Sequence, residues 1–114
     1  MAYLNTKEYE KAINYLKDFS SDDVLLSSLA NGAIGDAYLQ LGQEEEALDY
    51  YQKAFSGSDN AFTTPKYLFK AGLVSGSLNK NTVALDYFKR IKTDFSDAPE
   101  AQQIDIQIGR IENQ

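Results

Sequence analysis

The segment GDAYLQLGQEEEALDYYQKAFS, residues 35–56, is the most informative part of this chain. It has small residues at regular places, then a break centred on Gly42, then an acidic run, Glu44 to Glu46, that leads into an aromatic-rich stretch. Apolar residues recur every three or four positions on both sides of the break, which is the period of an amphipathic helix. Glycine is common just after a helix ends, and carboxylates favour the first turn of a helix. The segment therefore predicts two helices joined by a tight turn.

The same pattern occurs three times along the chain. Superposing Ala47 on Ala84 places LGQEEEALDYYQKAF over LNKNTVALDYFKRIK, an offset of 37 residues that also relates Gly35 to Gly72. Superposing Ala12 on Ala47, an offset of 35 residues, places YLNTKEYEKAINYLKDF over YLQLGQEEEALDYYQKAF. Helical hairpins repeated at this length stack on one another, because no single copy buries its own apolar face.

Helical periodicity extends over six segments, and no segment alternates with a period of two, so we predict no sheet. Capping residues mark the predicted starts of the later helices. The second helix begins after Asp22 or Asp23, the fourth at Thr64–Pro65, the fifth at Asn81 and the sixth, after Asp97–Ala98, at Pro99.

Composition excludes several functions. The net charge of −6 argues against nucleic acid, because phosphate contacts need clustered Lys and Arg. No apolar run approaches the roughly 20 residues that cross a bilayer, so we expect no direct membrane insertion of this segment. Cys and His are absent, which removes disulfides, thiolate metal sites and the commonest general base. We therefore expect no enzyme, no cofactor and no metal.

The recurring residues resemble the tetratricopeptide repeat (TPR), a pair of antiparallel helices named A and B. The family pattern has a small residue and a Tyr on helix A, then an Ala, an aromatic and a second Ala on helix B. The middle copy fills these five places with Gly35, Tyr38, Ala47, Tyr51 and Ala54.

The flanking copies match the pattern in part. The next copy matches at Gly72, Ala84 and Phe88 and departs at Ser75 and Ile91; the first copy matches at Tyr3 and Ala12 and departs at Leu16 and Phe19. The aromatic that the family has early in helix A is replaced by Asn31 in the middle copy and by Leu68 in the next one.

The resemblance implies an all-α, right-handed TPR superhelix of about six helices in antiparallel pairs. It divides one domain, 1–114, into a partial first repeat, 1–20, a second repeat, 22–57, a third repeat, 62–95, and a C-terminal capping or unpaired A helix, 97–114. Most of the first A helix is missing from this pattern. We therefore expect either a longer parent chain or a homodimer through the uncovered first B helix.

Some segments are similar to a narrower group, the bacterial envelope-associated TPR proteins. These segments are LANGAIGDAYLQLG, TPKYLFKAGL and ALDYFKRIK. The resemblance implies the periplasmic side of a membrane-anchored bacterial protein that acts in assembly or quality control of envelope proteins. Without this narrower resemblance, a cytoplasmic location is expected.

TPR superhelices present A-helix residues on a concave face, which implies a non-catalytic module that binds or scaffolds a protein or peptide partner. Lys66, Lys70 and Arg110 are candidates to hold an acidic or C-terminal carboxylate, with Phe69 and Leu73 as an apolar floor. The alternative is that the two lysines are a solvated pair and that Phe69 packs on a neighbouring helix. The full predicted groove comprises Asp36, Gln40, Lys66, Phe69, Lys70, Leu73, Gln107 and Arg110.

Two other functions stay open from the sequence. One is homo-oligomerisation through the uncovered first B helix. The other is a carboxylate-based hydrolase, which needs a close Asp/Glu pair with a raised pKa in a pocket. Glu44 to Glu46, and the acidic residues Asp18, Asp22 and Asp23, are better explained as helix caps than as metal ligands.

Overall fold

Six α-helices and one short 3-10 helix make up the chain in a computed structural model that describes residues 6–18, 23–57 and 59–113. None of the residues in these ranges lies in a strand. The prediction of an all-α chain with six helices is confirmed. The helices are α1 (Thr6–Asp18), α2 (Val24–Gln40), α3 (Glu44–Ser56), α4 (Thr63–Ser77), α5 (Asn81–Asp94), the 3-10 helix Pro99–Gln103 and α6 (Ile104–Glu112).

Each helix packs mainly against the next one in the chain, and α2 also contacts α4. The hairpins α2–α3 and α4–α5 turn at Gly42 and Asn79, whose φ angles are 78° and 63°. Glycine adopts positive φ without a steric penalty, and asparagine tolerates it better than most residues. Helical hairpins that contact only their neighbours form a solenoid, so this chain is an all-α solenoid of antiparallel helix pairs.

In each of the two hairpins, an aromatic ring of helix B packs on a glycine of helix A. The Tyr51 ring lies on Gly35, where an added Cβ atom would be 2.8 Å from Cδ1 of the ring. The Phe88 ring lies on Gly72 in the same way, with 2.5 Å from the added Cβ atom to Cε1. Both rings are fully buried. The small residue of helix A is therefore needed because the ring of helix B occupies the space of its side chain.

The core is unevenly distributed along the solenoid. One large buried cluster joins α3, α4, α5 and α6, and Leu68 lies in it without any exposed surface. The buried cluster that joins α1 to α2 consists of Ile13, Ile34 and Ala37, among the residues described. The first inter-repeat contact is therefore less well filled than the second.

The predicted cap of α2 is confirmed, and that of α4 is wrong. Asp23 Oδ1 accepts hydrogen bonds from the first-turn amides of α2. However, α4 begins at Thr63 rather than after Thr64. Asn60 Oδ1 accepts from the backbone amides of Phe62 and Thr63 at 2.8 and 2.7 Å, and so satisfies the amides that start this helix. An Asn side chain that folds back on its own loop sets the start.

The last predicted helix is divided in two. Its first five residues, Pro99–Gln103, form a 3-10 helix, and α6 begins at Ile104. The Ala101 amide donates to the Ala98 carbonyl at 3.0 Å, the i→i−3 bond of a 3-10 turn. The predicted end near Glu112 is confirmed, and so is the start of α5 at Asn81.

Ser75 occupies the place of the family Tyr, is completely buried, and its hydroxyl has no hydrogen-bond partner among the residues described. A buried hydroxyl without a partner is destabilising, and Ala is a better helix former than Ser. We expect Ser75→Ala to stabilise the chain by about 1 kcal/mol, measured by urea unfolding. Ser77→Ala is the matched control, because the Ser77 hydroxyl donates to Glu44 at 2.6 Å. A loss of stability in Ser75→Ala alone would contradict this explanation.

Candidate functional site

The A helices α2, α4 and α6 carry all eight residues of the predicted groove. Asp36 and Gln40 lie on α2, Gln107 and Arg110 lie on α6, and the other four lie on α4. The structure brings Asp36 and Lys70 into direct contact across the α2–α4 junction. These two side chains therefore form a direct polar link between α2 and α4 on this face.

Asp36 lies at the centre of a small polar cluster. Lys70 Nζ donates to both carboxylate oxygens of Asp36, at 2.9 and 3.1 Å. The hydroxyl of Tyr51, which lies on the B helix α3, donates to Asp36 Oδ1 at 2.5 Å. Both charged side chains are partly exposed, so this ion pair itself adds little stability. The cluster mainly fixes how α2, α3 and α4 are positioned against one another.

Two buried tyrosines support this cluster from below. The rings of Tyr51 and Tyr67 stack at 6.1 Å with an interplanar angle of 18°. Lys70 Nζ lies 5.9 and 5.8 Å from the two ring centroids, within cation–π range. Burial raises the pKa of Tyr51, and its hydrogen bond to Asp36 raises it further. Burial, followed by the charge of Asp36, also raises the pKa of Tyr67.

This geometry changes the role that the sequence suggested for Lys70. Lys70 is a partly buried partner of Asp36, and it is not a solvated pair with Lys66. An incoming carboxylate would have to share the Lys70 ammonium with Asp36. The repeat pattern identified Tyr51 as the aromatic residue of helix B. It did not show that the Tyr51 hydroxyl contacts Asp36 on α2.

Phe69 and Leu73 differ in exposure. Phe69 is half-buried, and its ring centroid lies 5.9 Å from that of Phe88, so it packs on the neighbouring helix as the alternative reading had it. Leu73 is 41% exposed. Leu39 of α2 and Ile106 of α6 are 36% and 62% exposed. Each A helix therefore offers at least one large apolar side chain to solvent, and α2 also exposes Leu25 and Leu26 near its start.

The remaining predicted residues lie at the surface or near it. Gln40, Lys66 and Arg110 are exposed, and Gln107 is half-buried. Lys66 Nζ lies 5.5 Å from the centroid of the Tyr67 ring. Arg110 has no ion-pair partner among the residues that the structure describes. Lys66 and Arg110 are thus the accessible cations of this set.

Phe62 is a surface feature that the sequence did not reveal. It is 77% exposed and borders a pocket of about 230 Å³ at the ends of α4 and the 3-10 helix. In the sequence, the exposure of Phe62 is indicated only by its position in a polar loop, outside the helical period. The pocket is lined by Leu29, Ala61, Phe62, Thr63, Lys66, Pro99 and Glu100.

The acidic residues have structural contacts. Asp36 pairs with an ammonium and a phenol rather than with a second carboxyl group. Glu44 accepts from Ser77, and Glu45 forms an ion pair with Lys80 at 3.0 Å, so the acidic start of α3 is tied to the end of α4. Within the described ranges, no group of three His, Cys, Asp or Glu side chains is arranged to hold a metal ion.

Paired antiparallel helices, rings seated on helix-A glycines and nearest-neighbour stacking define a helical-repeat protein of the solenoid class. The family model described as tetratricopeptide repeat matches residues 29–56, which cover most of α2 and α3. Residues 29–56 are therefore similar to a tetratricopeptide repeat, and the fold of the described residues is an all-α TPR solenoid. No curated protein matches the chain. Among the helices described, none is long and apolar enough to cross a membrane.

Proposed function

We propose that this chain is a non-catalytic protein-binding module, and that a peptide or protein partner binds across α2, α4 and α6. TPR repeats generally mediate interactions between proteins and are typically non-catalytic. One observation carries the proposal for this face: Leu39, Leu73 and Ile106 come from three successive A helices and all remain exposed. Exposed apolar side chains on neighbouring elements are typical of an interaction surface.

Charge suggests what the partner carries. The chain is acidic overall, with a net charge of −6, yet the exposed charged residues of the predicted set are the cations Lys66 and Arg110, whereas Asp36 is paired with Lys70. Charges opposite to those of a ligand favour its correct orientation more than they raise its affinity. We therefore propose a segment with apolar residues and an acidic group or a C-terminal carboxylate.

A peptide selection tests this proposal. Peptides selected on the intact chain from a phage-displayed random library are expected to combine apolar residues with an acidic one. Fluorescence anisotropy then compares the wild type with Leu73→Glu and Arg110→Glu. Each variant is expected to weaken binding at least about tenfold. Leu73→Glu buries a charge in the contact, and Arg110→Glu places a like charge opposite the acidic group of the peptide.

The matched control is Lys89→Glu, since Lys89 is exposed on the B helix α5. This variant changes the net charge as Arg110→Glu does but leaves the A-helix face intact. If all three variants bound the peptide as tightly as the wild type, the contact would lie elsewhere and the proposed groove would be wrong. Circular dichroism melts show whether each variant is folded.

Self-association through α1 is a second candidate, favoured by one comparison between repeats. Ala12 is exposed, whereas its equivalents Ala47 and Ala84 are fully buried between helices A and B. A homodimer would cover this face of α1. Light scattering over a concentration series, with Ala12→Glu as the disrupting variant, measures it. A constant monomer mass in the wild type would exclude this candidate.

Two finer assignments belong to the same proposal. One is the division of the chain into repeats 1–20, 22–57, 62–95 and a last A helix 97–114. The other is the placement in a bacterial envelope protein, as a periplasm-facing domain of a membrane-anchored parent chain, which is supported by the similarity of the segments named above. Fusion of the parent chain to a reporter enzyme that folds only in the periplasm tests the second assignment.

A further inference from the structure

A second pocket lies away from the A-helix face, between α1, α2 and α3. Its volume is about 220 Å³. It contains none of the eight residues predicted for the groove. Its lining residues are Leu16, Lys17, Ser27, Ala30, Asn31, Ile34, Tyr50 and Lys53.

The repeat register explains why this pocket exists. Residues of α2 and of α4 that are 37 positions apart occupy equivalent places, so Ala30 corresponds to Tyr67 and Asn31 to Leu68. Tyr67 and Leu68 are buried in the large core cluster. Two large side chains thus fill the second inter-repeat junction, whereas a methyl group and an amide leave the first one open.

Two lysines border the open junction. Lys17 Nζ donates to the Tyr38 hydroxyl at 2.9 Å and lies 5.8 Å from the centroid of the Tyr50 ring. Lys53 Nζ lies 4.3 Å from the same centroid, and both lysines line the pocket. The hydrogen bond to Tyr38 raises the pKa of Lys17, so this ammonium stays charged at neutral pH.

Comparison with the next repeat, at offsets of 37 residues for Lys53 and 35 residues for Lys17, shows how these two positions differ from their equivalents. Lys53 corresponds to Arg90, which has Asp59 and Asp94 at 3.5 and 3.8 Å. Lys17 corresponds to the neutral Gln52, which donates to Tyr87 at 2.8 Å. Across the residues described, neither lysine has a carboxylate within 4.0 Å.

We propose that the pocket between α1, α2 and α3 binds a small oxyanion group, a phosphate or a carboxylate, between Lys17 and Lys53 with the Asn31 amide as a further donor. Lysine ammonium groups are effective point-charge partners of phosphate, and an amide NH₂ supplies two more donors. The group belongs either to a free small anion or to an acidic side chain of a partner protein. This site is separate from the groove and does not depend on it.

Titration of the intact, isotope-labelled chain tests the site by NMR. Inorganic phosphate and a short polyaspartate peptide are added in separate arms, with sodium chloride at matched ionic strength as the reference. Saturable shifts of the Asn31 side-chain amide are expected with phosphate, with the peptide, or with both. Phosphate alone indicates a small free anion, and tighter binding of the peptide indicates a partner's acidic side chain.

Variants make the result specific. Lys17→Gln and Lys53→Gln are each expected to weaken binding about tenfold, the loss of one charge-assisted hydrogen bond. Asn31→Leu installs the residue that fills the equivalent place in the next repeat, so it is expected to abolish binding while the chain stays folded. Lys89→Gln is the charge-matched control, and Leu73→Glu, which tests the groove, is expected to bind the anion normally.

Two outcomes would contradict the proposal of an oxyanion site. Shifts no larger than those with sodium chloride, in both arms, would show that the pocket holds no oxyanion. Unchanged affinity in Lys53→Gln would do the same even if Asn31→Leu failed to fold, because Lys53 is an exposed residue.

Discussion

Gly72→Ala is expected to destabilise this chain by about 1–3 kcal/mol, although Ala is the better helix former. An added Cβ atom at residue 72 would lie 2.5 Å from Cε1 and 2.7 Å from Cζ of Phe88. The Phe88 ring is 1% exposed and the Phe69 ring packs against it, so a shift of the Phe88 ring must displace other core side chains. Urea unfolding followed by circular dichroism measures the difference.

The matched control lies one helical turn further along α4. A Cβ atom at Gly76 would meet Ile111 Cδ1 at 3.9 Å, an ordinary van der Waals contact. Gly76→Ala is therefore expected to stabilise the chain by up to about 1 kcal/mol through helix propensity alone. Opposite signs for the two substitutions would identify ring packing as the cause. Stabilisation by both would show that the Phe88 ring is not seated on Gly72 as described.

The repeat equivalence explains why the fold was predictable from sequence. Gly35 and Gly72 are 37 residues apart, and so are the alanines Ala47 and Ala84 that follow them. A spacing that recurs with small and aromatic residues in the same places leaves few packing arrangements. Helix number and hairpin turns followed from it. The starts of α4 and α6 did not, because they depend on a loop side chain, Asn60, and on a 3-10 turn.

The candidate site was less predictable, for a different physical reason. Helical period shows which face of α4 Lys70 lies on, but not which residue of α2 lies opposite. The Asp36–Lys70 pair and the Tyr51 hydroxyl bond join residues 34 and 15 positions apart on separate helices. For the pocket beside Lys17, the sequence showed that no large residue stands at position 31. It did not show that the space stays open.

Alkaline pH is expected to destabilise this chain steeply through Tyr51 and Tyr67. Both tyrosines have raised pKa values in the folded chain, chiefly because they are buried. The folded chain therefore keeps two phenolic protons that the unfolded chain releases above its ordinary tyrosine pKa of about 10. Their contribution to stability is complete below about pH 10 and is lost as pH rises toward the folded pKa values.

The expected slope follows from proton linkage. Each retained proton lowers the free energy of unfolding by about 1.4 kcal/mol per pH unit, so both together account for up to about 2.7 kcal/mol per unit. Urea unfolding at a series of pH values around and above about pH 10 measures this slope. Phenolate absorbance is expected to rise in a cooperative step at the unfolding midpoint, because these two rings ionise only when the chain opens.

The double variant Tyr51→Phe/Tyr67→Phe separates linkage from packing. It keeps both rings but loses the hydroxyl bond to Asp36, so a lower stability at neutral pH is expected as well. The informative quantity is therefore the slope, which should flatten because no buried phenol remains at these places. Tyr15→Phe is the control, since Tyr15 is 73% exposed on α1 and its substitution should leave the slope unchanged. An equal slope in the double variant and the wild type would mean that other groups control alkaline unfolding, and that the Tyr51–Asp36 contact does not hold its proton.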